Sequence, residues 1–126
     1  MNPKTIKRVY WILLGLLCLF MLGDGYGGLI LAPAGVDVLN HLGYPTYMMP
    51  LMGGLKILGV IALLQTKFSG IKEWVYAGMT FIFIGASVSH ICAHDEVAHV
   101  VQPLIFLGFT LTVYTWWRAY QKQQTT

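Results

Sequence analysis

Lys56 lies near the middle of an apolar run, residues 47–64, that is about long enough to cross a bilayer as a helix. An ammonium at that depth costs roughly 2.5 to 3.5 kcal/mol on insertion scales, so such a group faces a counter-charge, a cavity or a pathway. Two further titratable groups interrupt apolar runs: Asp24 near the end of the first and His90 near the end of the third. Together these three side chains could bind the oxygen atoms of a ligand headgroup or exchange protons with it. The bland alternative is an internal ion pair with a neighbouring histidine that only fixes helix packing. A second chemistry is open to His90, His94 and His99. The first two are spaced i, i+4 and the third follows five residues later, which admits a transition-metal site, though without an HExxH context.

The elements that position these groups follow from composition. The 126 residues are 56% hydrophobic and 10% charged, where a soluble domain carries about 25% charge. The chain therefore reads as a single all-α transmembrane domain over residues 1–126, in contact with a lipid bilayer and without a soluble catalytic module. Four segments approach the roughly 20 residues that a bilayer demands: about 9–31, 47–64, 74–92 and 98–117. Of the eight basic residues, all but Lys56 lie before the first span, between the second and third, or after the fourth. The other two connections hold none, so the excess of positive charge predicts an antiparallel bundle of four transmembrane helices with both termini cytoplasmic. The net charge of +3 then needs no nucleic acid to explain it.

Depth can be estimated from the helical rise. Asp24 falls about 24 Å beyond Arg8, in the outer third of the first span, and His90 reaches nearly the same level. Lys56 starts about 15 Å below the outer end of the second span, and its side chain leans toward the helix N-terminus, which is the outer side. The expected constellation is Asp24, Lys56 and His90 on three helices. Gln102 before Pro103, Ser87 and Ser89 flanking His90, and Tyr26 after Asp24 are candidates to complete it. His41, in the longer connection of residues 32–46, could join either the trio or a metal site. That connection, with Pro33, Gly35, Gly43 and Pro45, is expected to form a structured cap over the outer mouth.

Other features read as structural. Ser69-Gly70 is expected to make a tight turn, and Glu73 to sit in the first turn of the next helix, complementing its dipole. Cys18 and Cys92 lie at different depths and should be free thiols. Gly54 with Gly59, and Gly78 with Gly85, do not follow GxxxG spacing, and the glycines of the spans are expected to serve general small-residue packing. No GxSxG, paired-carboxylate or glycine-rich phosphate motif occurs, and no catalytic residue is assigned.

Four stretches in consistent order, HLGYP at 41–45, GGLKILG at 53–59, IKEWVYAG at 71–78 and GASVSH at 85–90, resemble the DoxX-like family of small four-helix bacterial membrane proteins. The resemblance spans about residues 8–118 and includes Lys56, Glu73 and His90. It implies a multi-pass protein of the bacterial inner membrane. The broader group is named after a membrane subunit of a thiosulfate:quinone oxidoreductase, so it also implies a small amphipathic or quinone-like ligand, and a homodimer or a redox protein as partner. No covalently held cofactor is implied. At residues 23–28 the chain reads GDGYGG where relatives commonly carry a glycine followed a few residues later by a lysine, so the local charge departs from the family pattern. Two readings stay open: a membrane subunit of a redox system that binds a quinone-like molecule, and a non-enzymatic chaperone, scaffold or small transporter whose buried charges are structural.

Overall fold

The computed structural model describes residues 2–125, the side chains of residues 124 and 125 excepted, and is all-helical among the described residues. Five helices follow one another: α1 (Pro3–Leu29), α2 (Pro33–Leu42), α3 (Met48–Leu64), α4 (Ser69–Cys92) and α5 (Val97–Thr125). Three of them are long and apolar enough to cross a membrane, namely α1, α4 and residues Val97–Gln123 of α5. Helix α3 is apolar but has 17 residues, a length of about 26 Å. An apolar helix thus occupies residues 48–64, where a second span was expected over 47–64, and it is shorter than those three.

Local chemistry sets the ends. Helix α1 begins six residues before the expected span, because Pro3 occupies a first-turn position and the Asn2 side chain accepts from the Lys4 amide at 2.9 Å. The turn between α3 and α4 is made by residues 65–68 rather than by Ser69-Gly70. Gln65 Oε1 accepts from the Lys67 and Phe68 amides at 2.9 and 2.7 Å while its Nε2 donates to the Phe68 carbonyl, so one side chain staples the reversal. Helix α4 therefore starts at Ser69, which moves Glu73 out of the first turn. Its carboxylate instead accepts from Arg118 at 3.0 Å and from Tyr114 at 3.4 Å on α5, so a tertiary contact replaces the expected dipole role.

Helices α1, α2 and α4 share one way of stopping. Each ends in a residue at positive φ, Leu31 (54°), Gly43 (85°) and His94 (57°). In each, the next residue's amide bonds back to a carbonyl five positions earlier: Ala32 to Gly27, Tyr44 to Leu39, and Asp95 to His90. This pattern closes a helix and reverses the chain sharply. It supplies the residue after the reversal, here Tyr44 or Asp95, with a defined direction back over the helix end.

Packing joins α1 to α3 and α5, and α4 to α5, while α3 and α4 touch sparingly and α2 rests lightly on α3. Tyr10, Leu14, Leu17 and Met21, spaced at three or four residues along α1, meet Val60 and Leu63 of α3, Tyr76, Met79 and Phe83 of α4, and Val113 and Trp117 of α5. Large apolar side chains such as Leu19, Leu58, Trp74 and Ile105 stay exposed on the outside. In lipid such surface is at home, and helices associate through close packing instead of by hiding apolar area from water.

The tightest approach is between α1 and α3. A methyl group on Gly25 would lie 2.8 Å from the Gly53 carbonyl oxygen, and one on Gly28 would lie 2.6 Å from that of Met49. Gly53 is equally closed in by the backbone of α1, whereas Gly54, Gly78 and Gly85 have open space beside them. Small-residue packing is thus concentrated at Gly25, Gly28 and Gly53, with Gly59 near Met21 and Val75. At Gly15, Gly23, Gly54, Gly78, Gly85 and Gly108 the expected packing role is not played, since nothing lies within 4 Å of the missing methyl group.

Candidate functional site

Distant contacts sort the molecule into two ends. At one, Gln123 bonds the Pro3 carbonyl, Tyr120 stacks on Tyr10, and Arg118 pairs with Glu73. At the other, the ends of α1 and α4 meet α2 and the start of α3 around a cavity of about 630 Å³. Its wall near α1 is the glycine seam, which brings Asp24 and Lys56 side by side. Their side chains form an ion pair, with Lys56 largely covered at 18% exposure and Asp24 half-exposed at 46%. The depth reading of this pair thus agrees with the geometry, and the lean of Lys56 toward its helix N-terminus is what spans the gap.

His90 lines the same cavity from α4 but does not join the ion pair. Its Nδ1 lies 2.6 Å from Asp95 Oδ2, and His41 Nε2 lies 2.5 Å from the other oxygen, Oδ1. Hydrogen bonds from His90 and then His41 hold the Asp95 carboxyl below the usual carboxylate range. The ionised carboxylate can only accept, so both rings donate to it. The turn at His94 makes this contact possible, since it folds Asp95 back onto the helix end that carries His90. His99 of α5 stacks on the His90 ring with centroids 5.7 Å apart.

The roof is α2. Gly43 reverses the chain so that Tyr44 reaches α4, where its hydroxyl lies 2.6 Å from Ser89 Oγ. Ser89 already donates to the Gly85 carbonyl at 2.8 Å, so Tyr44 is the donor between them. The expected structured cap is therefore a ten-residue helix held over the cavity by Tyr44 to Ser89 and His41 to Asp95. Between these polar points the lining is apolar, with Met48, Met49 and Met52 of α3 facing Phe81 and Ile82 of α4.

Of the seven residues anticipated, four line the cavity: Asp24, Lys56, Ser89 and His90. Ser87 does not; it is buried and donates to the Val100 carbonyl at 2.9 Å, tying α4 to α5. Tyr26 is 62% exposed and lies outside the lining, because two residues along a helix turn the side chain far from the face that Asp24 uses. Gln102 is exposed and also lies outside it. The metal alternative of His90, His94 and His99 is not formed: among the described residues no three His, Cys, Asp or Glu side chains gather to hold an ion. His94 is spent on the left-handed turn and is exposed. Cys18 is buried and Cys92 exposed, both as free thiols.

Tyr44 and Asp95, as members of the wall and its support, are the residues that sequence spacing left out. A Gly-Tyr-Pro triplet after a short apolar segment was the available signal for the first. A lone histidine, although enriched at positive φ, is a weak signal for the left-handed turn that folds Asp95 back onto His90.

No curated protein and no solved structure matches the chain. The model of the DoxX-like family matches residues 12–113, a stretch that includes every residue lining the cavity. With that match and three helices long and apolar enough to cross a membrane, the chain belongs to the DoxX-like family.

Proposed function

We propose that the chain is an inner-membrane protein of four antiparallel spans, with both termini on the basic, cytoplasmic side. We read its outward cavity as the site of a small amphipathic ligand that carries oxygen functions, such as a quinone. One observation carries this reading: the Asp24–Lys56 pair and His90 sit on the wall of one cavity. Its volume falls in the range of small-molecule sites, and its apolar lining with a few convergent polar groups is their usual make-up. Lys56 would donate to a carbonyl or oxyanion, Asp24 would keep Lys56 charged and exchange protons, and His90 would meet a second oxygen. The open seam between α3 and α4 suits entry of a ligand from the bilayer. In a redox system the chain would hold the ligand, and a partner protein would exchange electrons with it.

The test is binding of a short-tailed benzoquinone to the full chain in lipid nanodiscs, with mass spectrometry of the purified protein for a retained lipid-like molecule. Lys56→Met is expected to abolish retention while leaving the helix content intact. Unchanged retention would refute the assignment. A second reading has its own support: Asp24 and Lys56 satisfy each other, and they flank the glycine seam that locks α1 to α3. On that reading the pair specifies packing in a chaperone, scaffold or small transporter. Lys56→Met would then be as stable as the parent, with nothing bound in either protein.

A further inference from the structure

We infer that His90 is the proton acceptor of this cavity and that Asp95 is the residue that holds it in that role, so that the ligand class is one with an acidic hydroxyl, a phenol or a quinol. The inference rests on the cavity reading above and sharpens it.

The geometry resembles the way enzymes prepare a histidine base. His90 donates its Nδ1 hydrogen to Asp95, which leaves Nε2 as the ring's acceptor atom. Nε2 has no hydrogen-bond partner among the described residues, although the ring lines the cavity. Asp95 is itself fixed from the far side, because His41 at the outer surface donates to its other oxygen. The carboxylate thus cannot turn away from His90 without losing a second bond. A carboxylate in contact with the imidazole also stabilises the imidazolium once a proton arrives.

The other charged and titratable groups around His90 are engaged or turned elsewhere. Asp24 on α1 already faces the Lys56 ammonium of α3, and protonating it would strand that charge. Tyr44 donates to Ser89, and His99 of α5 presents a stacked ring instead of a polar edge. His94 and Glu96 in the turn between α4 and α5 are exposed. In the proposed step the ligand O–H bond breaks and an Nε2–H bond forms. The ligand keeps the electron pair as an oxyanion beside Lys56, and the imidazolium rests against Asp95. No electron is transferred and no proton leaves for solvent.

4-Nitrophenol is a suitable probe, because its phenol and phenolate absorb at different wavelengths. Absorbance gives the bound form, and calorimetry in two buffers of different ionisation enthalpy gives the protons released to buffer for each ligand bound. The full chain in nanodiscs is expected to bind phenolate with almost no proton release. His90→Gln and Asp95→Asn should each either release about one proton per bound phenolate or bind the neutral phenol, with affinity for the phenolate about tenfold weaker. Asp95→Asn keeps a carbonyl that can still accept from a ring, so it decides the matter if His90→Gln fails to fold. A proton count and absorbance unchanged in Asp95→Asn would overturn the role of Asp95, and the same result in His90→Gln would overturn that of His90. Absence of 4-nitrophenol binding by the parent protein would overturn the cavity reading itself, and this inference with it.

Discussion

Gly53 and Gly54 are neighbours in sequence, yet a single methyl group should affect them in opposite directions. At Gly53 the added carbon would strike the Gly25 carbonyl oxygen and lie 3.1 Å from the Leu29 amide nitrogen and 3.3 Å from the Gly28 carbonyl carbon. All three are backbone atoms of α1, so no flexible side chain can yield, and α1 must move away from α3. Overpacking costs about 1 to 3 kcal/mol, and rigid neighbours place Gly53→Ala at about the upper end. At Gly54 nothing lies within 4 Å, so Gly54→Ala should gain the helix preference of alanine, about 0.5 to 1 kcal/mol. Gly53→Ala gains the same preference, so the two variants should differ by the overpacking cost alone, about 3 kcal/mol. Equilibrium unfolding in mixed dodecylmaltoside and SDS micelles, followed by helix content, measures that gap. The displaced α1 should also carry Asp24 away from Lys56, so quinone or 4-nitrophenol binding should fall in Gly53→Ala and persist in Gly54→Ala. A gap below about 1 kcal/mol would show that the α1–α3 contact is looser than described and would refute the reasoning.

Three further outcomes are expected. Asp24→Asn should destabilise the fold in detergent by about 1 to 2 kcal/mol, less than for a fully buried pair because Asp24 is half-exposed; adding Lys56→Met should restore the loss, as thermal unfolding of the single and double variants would show. Asp95 has a lowered pKa, so its contribution is complete above the ordinary carboxylate value and is lost as pH falls through the lower folded value; the Tm advantage of the parent over Asp95→Asn should shrink below about pH 4. His94→Gly should stabilise the protein by about 0.5 to 1 kcal/mol by relieving a left-handed backbone at φ 57°; reduced stability, measured by the same unfolding assay, would contradict the turn geometry.

How much of this could be read beforehand depended on whether a feature obeyed the helical repeat. The pairing of Asp24 with Lys56 was legible because both lie within regular helices, where 1.5 Å per residue converts position into depth. The same arithmetic put His90 at the right level. It gave the wrong partner, since Asp95 reaches it through a chain reversal centred on a histidine with no glycine or asparagine to signal it. The α1–α3 seam was obscured for a related reason. Gly25 and Gly28 are three apart in sequence, whereas the expected motif has a spacing of four, and their partner Gly53 sits on another helix. Helix α2 escaped as a helix because its ten residues open with Pro33 and Gly35 and run into Gly43 and Pro45, turn signals at both ends.

The sparse contact between α3 and α4 has a mechanical meaning. Helices α1 and α3 are bolted together through their backbones, and α4 and α5 form a second closely packed pair, so the molecule is two stiff plates joined along the α1–α5 edge. The cavity occupies the opposite edge, where the plates touch least, and α2 is a strap across the opening. The plates thus share least contact at the place where Asp24, Lys56 and His90 line the wedge, so a ligand held there would set the angle between them.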